Sequence, residues 1–274
     1  GIDFSTLYQV IKDEYKGQSY TPEIWGNDAC CKWDYFSDFL SAANPDEVDK
    51  ITWHQYYCNG ATTPLYDFWS VKLLDNLIDD IEDRVNESHT LFSNTAPVLL
   101  GETSNCYGGG AANSSSSFAA GYMWLDKLGL AGAMDIYAVC RQEFYNGNYA
   151  LVGHDFLPNP DYWTGYLFRN LVGNKVVYVD DEFTKGRAIR TYAYCTRTKS
   201  AGSVYDYSKG SITAIILNTY NTTSASVELN VVDLDISLNN VDATWDEYIL
   251  TSYPGVPNSR SVYLNGDLIE LTSE

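Results

Sequence analysis

The 274-residue sequence predicts an α/β module over residues 1–173 followed by an all-β module over residues 174–274. Three observations carry this reading. Short apolar runs alternate with amphipathic helical stretches in the first part, the pattern of strands crossing over to parallel neighbours. Past residue 173 helical spacing disappears, and β-branched and aromatic runs are separated only by Gly, Ser, Asn and Asp clusters. Apolar residues make up 45% and aromatics 15% of the chain, enough for a large core and incompatible with disorder.

The elements follow in order. Phe4, Leu7, Tyr8 and Ile11 fall at helical spacing, so the chain opens in an amphipathic helix. PEIWGND (22–28) is a short strand, and KWDYFSDFLSA places Trp33, Phe36, Phe39 and Leu40 on one helical face. DKITWHQYYC (49–58) is the next strand, followed by a helix over 66–87 with Leu73, Leu77, Ile78, Ile81 and Val85 as its apolar stripe. TAPVLLGETS (95–104) has the continuous apolar run of a strand buried on both faces. Helix SFAAGYMWLDKLGLA, strand DIYAVCRQEFY (135–145) and helix DYWTGYLFRNLVG, stopping on Gly173, complete the module. Four strands fill these residues, whereas a closed eight-stranded barrel needs roughly 250. A small open sheet and the back half of a barrel both remain open. KVVYVDD, AIRTYAYCTR, ITAIILNTY, SVELNVVD (226–233), WDEYILTS and SVYLNGDLIEL then predict a sandwich of at least six strands.

The net charge is −19, which argues against a nucleic-acid partner, since phosphate neutralisation needs clustered Lys and Arg. No apolar run reaches the roughly 18 residues of a membrane span. Six cysteines show no C-x-x-C metal spacing, and sequons stand at Asn86, Asn113 and Asn221. These lean towards a secreted or lysosomal glycoprotein. Residue 1 is Gly, a helical pattern runs from the outset, and the sequence stops on LNGDLIELTSE. Truncation at both ends is therefore expected.

In α/β architectures function collects at the C-terminal ends of the strands. Those ends carry Asn27 and Asp28; His54, Tyr56 and Tyr57; Glu102 and Asn105; and Arg141, Gln142 and Tyr145. Glu102 is the sharpest candidate, a carboxylate ending a buried strand beside a Gly-rich loop, suited to a nucleophile or general base. A solvated loop Glu is the plain alternative. His54 has no Ser or Cys partner signature and no second His at zinc spacing, so a hydrogen-bonded structural role is its default. Gly108-Gly109-Gly110 lacks the Gly-Lys-Ser/Thr ending and the GxGxxG spacing, which excludes a nucleotide cradle. Nothing in the sequence calls for a metal or a cofactor. Tyr56, Tyr107, Tyr145 and Tyr149 offer rings for stacking on sugars, core filling being the alternative.

VLLGETSNCYGGGAANSSSSFAAGYMWLDKLGLAGAMDIYAVCRQEFYNGNYALV and PNPDYWTGYLFRNLVGNKV closely resemble the heparanase-type endo-β-glucuronidases of glycoside hydrolase family 79, a group that includes heparanases and leech-type hyaluronidases. ITWHQYYCNG and the β-rich tail fit as well, so the resemblance covers nearly the whole chain. It implies the C-terminal half of a (β/α)8 barrel, about strands five to eight, followed by an incomplete β-sandwich. It further implies retaining hydrolysis of internal glucuronide linkages in a glycosaminoglycan, with two carboxyl groups about 5–5.5 Å apart. Glu102 matches the family nucleophile. Tyr149, the Gly108 and Gly109 backbone and Gly147 match the holders of the glucuronate carboxylate. His54 and Tyr56 line the cleft, with Tyr107 and Gln142 beside them.

The departures are as informative. The family's general acid stands in an Asn-Glu-Pro motif just upstream of a segment similar to GIDFSTLYQVI, and no Asn-Glu-Pro occurs here. GNDACC replaces the usual Gly-Pro-Asp of the fifth strand, and the partner the family implies for Cys195 would lie past the last residue. The resemblance thus predicts that this chain alone is inactive, and that its other half-barrel is supplied upstream or by a separate chain. A non-catalytic homologue binding glucuronides or a partner is the alternative. Few basic residues are available for sulfated subsites, and Lys185, Arg187 and Arg190 lie in the β module, which leans from heparan sulfate towards hyaluronan.

Overall fold

The fold is described from a computed structural model covering residues 2–180, 185–198, 204–220, 224–227, 244–253 and 255–272. Helix α1 (Ile2–Glu14) leads to strand β1 (Trp25–Ala29), α2 (Trp33–Ala42), β2 (Lys50–Gln55) and the two-residue β3 (Cys58–Asn59). A 3₁₀ turn (Leu65–Trp69) precedes α3 (Val71–Leu91), β4 (Val98–Thr103) and the short β5 (Cys106–Tyr107). Then come α4 (Phe118–Ala133), β6 (Val139–Arg141) and α5 (Pro160–Leu171). Strands β1, β2, β4 and β6 form a parallel sheet in that spatial order. The α/β reading of this part is what the structure shows.

Val98, Leu99 and Leu100 are buried, as expected of a parallel strand covered on both faces. Helix α2 buries Phe36, Phe39 and Leu40, and α3 buries Leu74, Leu77, Ile78 and Ile81. Leu73 and Val85, assigned to the same stripe, sit at its edge, half-buried. The predicted helix start at 66 is corrected to 71: the chain first makes a 3₁₀ turn, and Ser70 closes it while its carbonyl accepts the first bond of α3 from Leu74. Helix α1 buries none of its residues fully. It lies against the edge strand β1, where Phe4 covers Gly26 and meets Phe39 edge-on at 4.8 Å between ring centroids.

Among the described residues, the β part forms two three-stranded antiparallel sheets. One is β7 (Val172–Val177), β8 (Ile189–Thr196) and β9 (Ile212–Asn218); the other is β10 (Leu250–Ser252), β11 (Val262–Leu264) and β12 (Asp267–Leu268). The expected strand at 226–233 falls almost entirely outside the described residues. Gly173 does not stop α5, as its position suggested. The helix passes directly into β7 at Val172, and Gly173 is a strand residue whose Cβ would stand 2.5 Å from the Cys195 carbonyl oxygen. Close approach of β8 explains this glycine.

Helix α4 joins the two parts. It is buried on nearly all sides because α5, α3 and the 3₁₀ turn flank it, β8 and β9 lie against it, and its Lys127 reaches the end of the parallel sheet. A Cβ at Gly129 would fall 2.3 Å from the Tyr192 ring, and one at Gly132 would fall 2.4 Å from the Tyr194 hydroxyl. The glycines of KLGLAGA therefore let two tyrosines pack close against the helix, despite their cost to helix stability. Asp126 accepts from Arg190 Nε at 2.6 Å and from the Tyr192 hydroxyl at 2.6 Å. The N-terminal amides of Phe118 and Ala119 donate to the carbonyls of Ser259 and Pro257, so the C-terminal loop caps this helix.

Candidate active site

The C-terminal ends of β1, β2 and β4 bring Asp28, His54 and Glu102 together. β2 and β4 pair in a register that sets His54 opposite Glu102. The imidazole then lies between two carboxylates, Nε2 at 3.0 Å from Asp28 Oδ2 and Nδ1 at 3.5 Å from Glu102 Oε1. Gly101 makes the first approach possible: a Cβ there would fall 1.9 Å from Asp28 Oδ1. The glycine before Glu102 is thus a socket for the carboxylate of the neighbouring strand.

The Tyr56 hydroxyl donates to Glu102 Oε1 at 2.7 Å. Burial raises this phenol well above its ordinary range, and the Glu102 carboxylate adds to the effect. Tyr56 therefore remains a donor at any physiological pH. Its ring lies 6.4 Å from that of Tyr149. The Tyr149 phenol is also raised, first by burial and then by the Glu143 carboxylate, with a hydrogen bond to Gln142 working in the opposite direction. Gly147 admits Glu143 into this loop, since a Cβ there would stand 2.2 Å from Glu143 Oε1. Glu102 keeps about a third of its side chain exposed (34%), so the carboxylate faces open space.

Three supports stand behind these groups. The Cys58–Cys106 disulfide joins the loops after β2 and β4, and Tyr57 N–H donates to the Asn105 carbonyl at 2.8 Å beside it. Asn105 in turn accepts from Ser115 Oγ at 2.6 Å, which fixes the base of the Gly-rich turn. Gly108, Gly109 and Gly110 all have left-handed backbone, with φ of 79°, 86° and 81°. Nothing lies within 4 Å of where a Cβ would project from Gly108 or Gly109, so conformation rather than crowding demands glycine there. Tyr107 is exposed at the start of this turn. The second support is Lys127 of α4, fully buried beneath the sheet end. It donates to Gln55 Oε1 at 2.6 Å, to the Ser104 carbonyl at 2.7 Å and to Thr103 Oγ1. Burial pushes its ammonium well below the usual lysine range. On the other side Arg141 donates to the Tyr149 carbonyl and pairs with the buried Asp161, holding the loop that carries Tyr149.

The sequence-predicted residues Glu102, His54, Tyr56, Gln142, Gly147 and Tyr149 thus converge on one edge, with Tyr107 to Gly109 in the adjoining turn. Asp28 was visible only as one of the strand-end polar groups. Its signal was Gly101, since a glycine inside an apolar strand marks a close approach. Lys127 had no signal, because nothing in WLDKLGL tells a buried lysine from a solvated one. Asn86 and Asn113 are exposed, and Asn221 lies outside the described residues. Of the basic candidates, Arg190 is buried between Asp126 and Asp75, and Lys185 pairs with Asp79. Neither offers its charge to a substrate.

Comparison with known proteins gives this edge its context. Residues 1–129 match the family model described as "Glycosyl hydrolase family 79, N-terminal domain". The whole chain aligns with heparanase of Bos taurus at 36% identity, covering 48% of that protein. It aligns equally over its whole length with hyaluronoglucuronidase of Hirudo nipponia at 34%, covering 54%, and with "Inactive heparanase-2" of Homo sapiens at 30%, covering 45%. The chain spans about half the length of these relatives. Among solved structures it resembles a 4-O-α-L-rhamnosyl-β-D-glucuronidase from Fusarium oxysporum, with a TM-score of 0.53 and 18% identity over 82% of this chain and 46% of that one. A GH51 α-L-arabinofuranosidase from Thermotoga petrophila gives a TM-score of 0.55 at 13% identity, over 74% and 45% of the two chains. These likenesses establish an α/β fold shared with glycoside hydrolases. The sequence matches go further: over residues 1–129 the chain is similar to the N-terminal domain of glycoside hydrolase family 79, and over its whole length to proteins named heparanase and hyaluronoglucuronidase.

Proposed function

We propose that this chain carries the nucleophile half of a retaining endo-β-glucuronidase acting on a glycosaminoglycan. The observation that supports it most is the setting of Glu102, a carboxylate at the end of a buried parallel strand, held by the Tyr56 hydroxyl and about one third open to solvent. Residues 1–173 form the strand-five-to-eight half of a (β/α)8 barrel, and residues 174–274 belong to a β-sandwich. Glu102 attacks the anomeric carbon from below while an acid protonates the leaving oxygen, giving a glycosyl-enzyme that water then hydrolyses. Tyr56 fixes the attacking oxygen by its hydrogen bond. Tyr149 and the amides of Gly108 and Gly109 hold the glucuronate carboxylate. The acid is carried outside these 274 residues, since no Asn-Glu-Pro occurs in them, and the chain by itself turns over no substrate. A glycosylated protein of an oxidising compartment fits the Cys58–Cys106 disulfide and the exposed Asn86 and Asn113. A net charge of −19, with Arg190 and Lys185 engaged by Asp126, Asp75 and Asp79, favours hyaluronan over a heavily sulfated chain.

The test is Glu102→Gln in a full-length protein that supplies the acid. Hydrolysis of a glucuronide falls by about a thousandfold or more, with thermal stability unchanged. Undiminished turnover removes Glu102 from the mechanism. The second reading, a non-catalytic glucuronide binder, draws on the likeness to a relative named inactive and on GNDACC in place of the family's Gly-Pro-Asp. It predicts glucuronide binding with no hydrolysis even in the full-length protein.

A further inference from the structure

The turn leaving β1 carries two consecutive cysteines, Cys30 and Cys31, both exposed. Their sulfurs stand 3.0 Å apart. Two left-handed residues shape this turn, Asp28 with φ 59° and Cys31 with φ 58°. With only Ala29 between, the pair follows Asp28, whose carboxylate reaches His54, and Cys30 is near enough to feel the charges of Glu102 and Asp28.

We propose that Cys30 and Cys31 form a dithiol–disulfide modification site at the lip of the cleft, closing to a vicinal disulfide with a small-molecule disulfide oxidant such as oxidised glutathione. The sulfurs need to approach by only about 1 Å to reach the bonded separation of about 2.05 Å. Adjacent Cα atoms are held about 3.8 Å apart, closer than the roughly 4.4 Å at which unstrained disulfides begin. The closed ring is accordingly strained and readily reduced, a switch rather than a staple. Burial, the neighbouring thiol and the two carboxylates push Cys30 up to about 11, so it stays protonated at neutral pH and reacts second. Cys31 Sγ, as thiolate, attacks the oxidant's disulfide and expels one thiolate. Cys30 Sγ then displaces the second glutathione, losing its proton to solvent. Two electrons pass from the cysteine pair to the oxidant, which leaves as two thiols. Closure fixes the Asp28–Cys31 turn and with it the carboxylate against His54. That consequence rests on the proposed role of the cleft; the site itself does not.

The experiment treats the purified chain with oxidised glutathione, traps it with N-ethylmaleimide and maps the tryptic peptide Gly17–Lys32. The expected product is this peptide unalkylated, two hydrogens lighter than its reduced form, while Cys140 stays open to the reagent. In parallel, phenylarsine oxide, which bridges neighbouring thiols, binds the reduced chain. Its affinity falls at least tenfold in Cys30→Ser and in Cys31→Ser. Alkylation of both cysteines, or a separate glutathione on each, overturns the proposal. The mapping reads the site whether or not Glu102 is the nucleophile, so the two proposals fail separately.

Discussion

The two ends of the parallel sheet are made of the same kinds of groups and do different things with them. At the N-terminal end, Lys50 pairs with Glu23 and lies over the rings of Trp25 and Tyr137, 5.0 and 4.7 Å from their centroids. The ammonium is almost completely enclosed, and its cation–π and ionic partners are all supplied by the protein. At the C-terminal end, Asp28, His54, Glu102 and Tyr56 again combine carboxylate, base and ring, but Glu102 is held by a neutral phenol where Glu23 is held by the Lys50 ammonium and the Trp25 indole N–H. A cluster that satisfies itself stabilises strands; a cluster left one partner short is available to bind and react. That distinction, rather than residue type, marks the site.

Substitutions at either end sharpen this contrast. Beyond Glu102→Gln, the largest effect is expected from Gly101→Ala. The added methyl collides with Asp28 Oδ1, and the half-exposed carboxylate gives way and leaves His54. Turnover of the full-length protein falls about tenfold or more, whereas stability drops by only about 1 kcal/mol, the low end of overpacking costs. Steady-state kinetics beside urea titration separates the two. Lys50→Met should do the reverse, costing about 1–2 kcal/mol through its lost cation–π contacts and leaving kcat/KM untouched. Equal damage to turnover from both ends would dissolve the comparison.

The smallest effect at neutral pH concerns three buried tyrosines. Burial raises Tyr57, Tyr122 and Tyr194 above their ordinary value. Below about pH 10 the folded and unfolded chains both hold these protons, and the stability is fully present. Above it the unfolded chain loses protons that the folded chain keeps, so stability declines as pH rises. Urea midpoints followed from neutral pH to beyond about 10 should fall steadily over the alkaline part alone.

How much of this was legible in the sequence depends on the range of the interaction. Strand β4 was readable from its own residues, because a parallel strand buried on both faces must be apolar throughout. The convergence of Glu102, His54 and Tyr56 was readable from strand–helix alternation, which forces strand ends to one edge. The helix stop at Gly173 was misread because a glycine after a helix resembles a cap, while its real reason, the Cys195 carbonyl, lies on another strand. Lys127 and the Cys58–Cys106 pairing were invisible for the same cause. Each is set by a partner distant in sequence that leaves no local trace.

The central claim is that Glu102 is the nucleophile, and covalent trapping tests it most directly. A glucuronyl fluoride carrying fluorine at C2 slows hydrolysis of the glycosyl-enzyme more than its formation, so the intermediate accumulates. In the full-length protein, peptide mapping should find the sugar ester-linked to Glu102 at one equivalent per chain, and Glu102→Gln should abolish the label. Label on another carboxylate, or its persistence in the variant, would contradict the account.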